Sequence, residues 1–233
     1  MNLVVFGANG PTGRLIVRLA LSAGHSVRAV TRSPAAFPLQ DPALEVVQGD
    51  VFDPAGVSAA IAGQDAVLSA LGVPYSRQTI TTYSAGTDAM LDGMAAHGVR
   101  RILTISSSAV DPDAGPHGGM FFERVLQPFV TGVLGRTLYD DMKRMERILV
   151  GSDVDWTVIR PSGLFDAESI SDYRTAERYL PEKFTARIDL ADAMLRQLDD
   201  HDHLRTTLAV GTLSGTPTVA QLMMREAFKR PPR

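Results

Sequence analysis

A chain of 233 residues, 45% hydrophobic and 21% charged, has the length and composition of one large α/β domain and is short for two. Its formal charge of −3 argues against a nucleic-acid partner or an anionic membrane surface, since both require clustered positive charge. With no cysteine in the chain, disulfides, thiolate nucleophiles and cysteine-ligated metals are excluded. No basic-then-apolar leader precedes Leu3-Val4-Val5-Phe6, and no apolar run approaches about 18 residues. The expectation is a cytoplasmic protein without a membrane partner.

Short apolar runs rich in β-branched residues alternate with helical patterns, which predicts a doubly wound, Rossmann-type parallel sheet with helices on both faces. Strands are expected at Leu3–Gly7, Ser26–Thr31, Leu44–Gln48, Ala66–Ala70, Arg101–Ser106, Trp156–Arg160 and Thr207–Val210. Helices are expected near Gly13–Ala23, Ala55–Ala62, Tyr83–His97, Leu138–Val150, Asp189–Leu198 and Thr218–Lys229. No linker, repeat or low-complexity tract divides residues 1–233. The turn-rich segment Asp111–Gly119 breaks the alternation after the fifth strand. Beyond it Phe122, Val125, Leu126, Phe129, Val130 and Val133 recur at helical spacing, with Pro128 expected to kink any such helix. This insertion, at about 109–137, falls beyond the carboxyl ends of the strands, where open α/β sheets bind ligands. It reads either as a lid or substrate wall, or as an apolar stripe packed on the domain.

The first strand runs into Gly7-Ala8-Asn9-Gly10-Pro11-Thr12-Gly13 and then a helix. That junction needs glycine three times: for a tight turn, for backbone approach to a pyrophosphate, and for close helix–strand packing. Pro11 suits an early helical position, and the helix N-terminus presents free N–H groups to phosphate. A dinucleotide is the expected cofactor. A site preferring NAD usually closes the second strand with an acid for the ribose 2′-hydroxyl. Here that strand ends Thr31-Arg32-Ser33, so Arg32 and Ser33 are expected on a 2′-phosphate, and NADP(H) is favoured. Arg14 either reaches the phosphates as well or is merely exposed.

Eight segments carry a family resemblance, in order: Val5–Gly13, Gly49-Asp50-Val51, Gly63–Val67, Ala96–Val99, Ser106–Ser108, Asp140–Met145, Asp155–Pro161 and Asp189–Ala191. Together they resemble the atypical short-chain dehydrogenase/reductases, the NAD(P)H-binding and NmrA-like family, most of all its flavin reductase/biliverdin-IXβ reductase type. The resemblance implies Asp50 and Val51 beside the adenine, Ala70, Leu71 and Gly72 along the ribose, and Pro161 beside the nicotinamide. Read from the residues alone, the alternative for Asp50 is a strand-end turn residue or a helix cap.

Ser106-Ser107-Ser108 ends the fifth strand, and Tyr139 and Lys143 share one face of the next helix. In Ser/Tyr/Lys dehydrogenases the tyrosine protonates the developing alkoxide, the lysine lowers the tyrosine pKa and binds ribose, and the serine polarises the carbonyl. The extended-family pattern aligns its serine with Ser108; the flavin/biliverdin type aligns its serine with Ser107 and generally lacks the tyrosine and lysine. The alternative reading makes Tyr139 an interfacial aromatic and Lys143 a solvated lysine.

The expected activity is hydride transfer from NADPH to a small apolar or aromatic carbonyl, quinone or flavin-like acceptor, walled by Phe121, Phe122, Phe129 and Leu164. The alternatives are an NmrA-like redox sensor that binds dinucleotide without turnover, and an epimerase or isomerase on the same fold. His201-x-His203 is too weak a pattern for a metal site, and none is expected. Arg225–Arg233 reads as a solvated basic tail.

Overall fold

The computed structural model describes residues 1–76, 78–111, 115 and 135–217. Strands β1 (Asn2–Phe6), β2 (Ser26–Thr31), β3 (Leu44–Gln48), β4 (Ala66–Ser69), β5 (Arg101–Ile105), β6 (Asp155–Pro161), β8 (Tyr173–Glu177) and β10 (Thr206–Thr212) form one sheet, ordered β3-β2-β1-β4-β5-β6-β10-β8. Every pairing is parallel except β10 with β8. Because successive strand residues point to opposite faces, β1 sends Val4 and Phe6 one way and Leu3 and Val5 the other, all fully buried. Val4 and Phe6 meet α2 (Pro54–Ile61), α3 (Thr82–His97) and α4 (Arg136–Val150) through Val57, Met90, Met94, Met145 and Leu149. Leu3 and Val5 meet α1 (Pro11–Ser22) and α5 (Arg187–Arg196) through Ile16, Val17, Leu190 and Met194. Two apolar layers thus enclose a sheet buried on both faces, which is why its strands read as near-continuous apolar runs.

The seven expected strands stand within a residue or two of their predicted bounds, but Gly7, Ala70 and Ser106 lie just past the ends of β1, β4 and β5. The departure from an all-parallel sheet comes after β6. The short strands β7 (Gly163–Phe165) and β9 (Phe184–Ala186) pair in a separate two-stranded sheet, and β8 lies antiparallel at the main sheet's edge. Three-residue strands and a half-exposed Tyr-Arg-Thr-Ala-Glu strand show no apolar run or strict alternation for a sequence reading to catch. Apart from Asp111, Gly115 and its two ends, the segment expected as an insertion lies outside the described residues, with Phe121, Phe122, Val125, Leu126, Pro128, Phe129, Val130 and Val133. So do the expected Thr218–Lys229 helix and the basic tail. Among the described residues no helix is long and apolar enough to cross a membrane.

Two buried carboxylates on α4 lock it in place. Asp141, 0% exposed, accepts from the Tyr83 and Ser84 backbone N–H groups at 2.8 and 3.4 Å, from the Ser84 hydroxyl at 2.5 Å and from Arg144 at 3.1 Å. It therefore caps the N-terminus of α3, whose own N-cap residue Thr81 makes no side-chain cap. Five residues on, Glu146 takes a two-pronged ion pair from Arg160 of β6, at 3.0 and 2.6 Å. Replacing Asp141 with Ala strands several buried donors at once and is expected to cost about 2–4 kcal/mol of unfolding free energy, read from urea denaturation. Ser84→Ala, which leaves the backbone caps in place, is expected to cost roughly 1 kcal/mol.

Candidate active site

The β1–α1 turn is built around backbone proximity. Gly7 sits at φ +72°, and a Cβ there would stand 2.5 Å from the Ala70 carbonyl oxygen at the end of β4. A Cβ on Gly13 would overlap the Gly7 carbonyl oxygen and lie 2.8 Å from Ala8 Cα. Gly10 differs: its Cβ would meet only the Gly7 oxygen, at 3.3 Å, and is otherwise free. The first and third glycines are thus demanded by the fold itself, whereas the second keeps an outward face clear. Helix α1 opens on Pro11, with no side-chain cap and no acidic residue in its first turn. Its first-turn N–H groups and positive dipole end are therefore left without a capping side chain, as an anion site requires. These residues fit a dinucleotide pyrophosphate. Asn9 accepts from Arg14 Nε at 2.9 Å, and the buried Thr12 accepts from Arg187 at 3.3 Å.

The other expected cofactor positions line the same carboxyl edge. Arg32 and Ser33 follow β2 directly, both exposed; Ser33 N–H donates to Thr31 Oγ1 at 3.2 Å, and Arg32 has no ion-pair partner among the described residues. Asp50 accepts from Phe52 N–H at 3.1 Å, so its carboxylate shapes the turn after β3, while Asp53 stands at the N-cap of α2. Val51 is buried against α3, where Gly86 leaves room for it and for Leu71. Ala70 N–H donates to the Phe6 carbonyl at 2.9 Å, continuing β4's pairing past its end, and Gly72 is exposed. Pro161 is buried at the end of β6, and Ser162 after it is tied to Thr185 Oγ1 and the Glu182 carbonyl at 3.0 and 2.7 Å. Leu164 lies half-buried in β7.

Of the serine pair, Ser107 is the one that acts on the tyrosine. Its hydroxyl accepts from Ala109 N–H at 3.2 Å, at the start of a single 3-10 turn, Ser108–Val110, and it lies close enough to Tyr139 to act on the phenol. Tyr139, half-buried on the first turns of α4, also stands 3.3 Å, hydroxyl to hydroxyl, from Tyr75. Burial pushes its phenol far above the ordinary tyrosine value, and Tyr75 and Tyr83 push in the same direction, against a smaller lowering by Ser107. Lys143 is exposed one turn along, and the hydrogen bond that Tyr139 makes with a described side chain goes to Tyr75 instead. In this arrangement the phenol is a neutral proton donor over the whole physiological range.

Sequence reading missed the companions of this pair. Tyr83 of α3 is buried, with its phenol raised to about 12 chiefly by burial, and Tyr75 extends from the loop after β4. No spacing signal joins residues so far apart in the chain. Asp111, just beyond the 3-10 turn, holds Arg160 at 3.2 Å and stands 3.8 Å from Arg178. Away from the site, His203 pairs with Asp200 at 2.7 Å, and no group of residues able to hold a metal occurs among the described residues.

A glycine-lined strand-to-helix turn at the carboxyl edge of a 3-2-1-4-5-6 sheet defines a dinucleotide-binding domain. The family model described as NAD(P)H-binding matches residues 7–201, and the chain belongs to that family. It is 29% identical over 171 residues to an uncharacterised chloroplastic protein of Arabidopsis thaliana (69% of this chain, 58% of that one). A (4-alkanoyl-5-oxo-2,5-dihydrofuran-3-yl)methyl phosphate reductase of Streptomyces griseus is 29% identical over 160 residues (68% and 46%). An uncharacterised sugar epimerase of Bacillus subtilis is 25% identical over 210 residues (86% and 89%). The chain thus spans about half the length of the first two relatives. In fold it is similar to a short-chain dehydrogenase/reductase of Veillonella parvula solved in complex with NADP, with a TM-score of 0.75 at 15% identity over 92% of this chain and 95% of that one.

The unequal roles of the glycines are measurable. Gly7→Ala is expected to destabilise the fold by roughly 2 kcal/mol or more in thermal or urea unfolding, through strain and the Ala70 clash. Gly10→Ala is expected to leave stability within about 1 kcal/mol while weakening NADPH binding roughly tenfold or more in a fluorescence titration.

Proposed function

We propose that the chain is an NADPH-dependent reductase of a small apolar or aromatic carbonyl compound, with Ser107 and Tyr139 at the reacting oxygen. The observation that carries this reading is the nearness of Ser107, just past the end of β5, to the Tyr139 phenol at the start of α4. Reduced dinucleotide, when bound along Gly7–Gly13 and the β4 end, supplies hydride. Ser107 orients the substrate carbonyl, and the Tyr139 hydroxyl gives the proton that the developing alkoxide needs. Tyr139's raised pKa keeps that proton in place until the oxygen becomes basic. Lys143 is assigned the ribose contact that the lysine makes in the Ser/Tyr/Lys dehydrogenases. Arg32, exposed and free of an ion-pair partner among the described residues, and Ser33 next to it are assigned to the 2′-phosphate. A neighbour of the same fold carries NADP, in keeping with that choice.

A second reading has one specific support: the Bacillus subtilis relative matched over 89% of its length is named a sugar epimerase. An epimerase returns its hydride, so net cofactor consumption separates the two.

The test is NADPH oxidation by the purified chain against aromatic ketones, quinones and flavins, with NADH in parallel. Turnover with NADPH preferred is expected. Tyr139→Phe is expected to lower kcat by about a hundredfold or more while NADPH still binds. Arg32→Glu is expected to lower kcat/KM for NADPH by on the order of tenfold to a hundredfold and to spare NADH. Tight NADPH binding with no net oxidation of any acceptor overturns the reductase reading and favours a sensor or an epimerase.

A further inference from the structure

We propose that Tyr75 is a proton-relay residue for Tyr139, linking its half-buried phenol to solvent. The proposal rests on the reductase reading above and assigns a positioning role to a loop residue that makes no other part of the site. Tyr75 is 56% exposed, yet its hydroxyl lies 3.3 Å from that of Tyr139, with the rings tilted at 49° and their centres 6.5 Å apart. The loop carrying it is pinned to α4: Thr137 Oγ1 donates to the Ser76 carbonyl at 2.8 Å, and Arg144 donates to the Ile80 carbonyl at 2.9 Å. Tyr139 thus has one hydroxyl neighbour at the sheet, Ser107, and one toward solvent, Tyr75.

Among the described residues, the surroundings leave few other donors. The titratable side chains on α3, which packs against α4, are Tyr83, Asp88, Asp92 and His97, and Asp111 follows the adjoining 3-10 turn. On α4 itself stand Asp140, Asp141, Lys143, Arg144 and Glu146 near Tyr139, with Arg136 and Arg147 at the ends. Of all these, Tyr83 is the group that raises the Tyr139 phenol most, and it does so less than Tyr75. A phenolate made at Tyr139 would sit half-buried against the apolar core, with no cation hydrogen-bonded to it among the described residues, a costly state.

Tyr75 removes that cost in the same turnover. Hydride from the reduced nicotinamide forms the new C–H bond, and the carbonyl π pair moves onto oxygen, which takes the Tyr139 proton. The Tyr139 oxygen then takes the Tyr75 proton, and Tyr75 recovers one from water. The product gains one hydride and one proton, and the dinucleotide leaves oxidised.

Two measurements test this. In the ligand-free chain, labelled at tyrosine Cζ, Tyr75→Phe is expected to move the Tyr139 resonance at neutral pH, whereas Tyr173→Phe leaves it in place. In turnover, Tyr75→Phe is expected to lower kcat by on the order of tenfold at nearly unchanged KM for NADPH. Tyr75→His is expected to restore most of that loss and to add a limb to the pH profile near the imidazole pKa of about 6.5. An active wild type with an unaltered Tyr75→Phe rate and pH profile, or an unmoved Tyr139 resonance, overturns the relay alone. A wild type that reduces nothing overturns the relay together with the reductase reading.

Discussion

The close approach of three backbones at Gly7 governs everything at the carboxyl edge of the sheet. The positive φ of Gly7 reverses the chain where the Ala70 carbonyl fills the space of a side chain, and Gly13 then lays α1 onto the Gly7 carbonyl. No side chain is available to adjust this fit, so β1, β4 and α1 meet at one fixed separation. The consequence reaches beyond the turn. The chain leaving β4 must pass beside the glycine turn before it bends into α3, and that path carries Leu71 under Gly86 and brings Tyr75 to the rim where β5 delivers Ser107.

A second constraint sets where the tyrosine stands. Helix α4 is anchored by Asp141 on the start of α3 and by Glu146 on Arg160 of β6, with Tyr139 two residues before the first anchor. Buried ionic contacts of this kind add little net stability over an apolar replacement, because desolvation offsets most of the attraction. What they supply is direction: a carboxylate that must meet two backbone N–H groups tolerates little rotation of its helix. Apolar packing by Leu138, Met142 and Met145 would hold α4 against the sheet but would permit it to slide. The polar anchors therefore fix the register that lets the Tyr139 hydroxyl reach Ser107 on one side and Tyr75 on the other.

The parts of this arrangement that repeat along the chain were legible in the sequence. Strands buried on both faces read as apolar runs, helices as periodic stripes, and the glycine turn as a motif in its required context. Ser107 and Ser108 were both visible, but which of them comes near Tyr139 is a matter of the 3-10 turn at Ser108–Val110 and not of residue type. Asp50 shows the reverse case, where a residue the family pattern places beside adenine also serves its own turn through Phe52. Tyr75 and Asp141 were invisible because their meaning lies in contacts 64 and 57 to 58 residues away in the chain. The strands β7, β8 and β9 were missed since their pairing is short and peripheral, with polar links such as Thr185 Oγ1 to the Val210 carbonyl replacing an apolar run.

The state of Tyr139 bears on which acceptors suit the proposed chemistry. Where a lysine ammonium contacts the phenol, the acid is strengthened and a weakly basic oxyanion suffices to take its proton. Here burial and a second phenol act in the opposite sense, so Tyr139 is a weaker acid than free tyrosine. Proton transfer from such a group is favourable only to an oxygen more basic than a phenolate. The alkoxide that forms when hydride adds to a ketone or aldehyde meets that condition. The oxyanion of a half-reduced quinone, itself a phenolate, does not. Within the reductase reading, the same burial that makes Tyr139 difficult to ionise therefore favours simple carbonyl acceptors over quinones, and it does so through the electrostatics of one side chain, without reference to pocket shape.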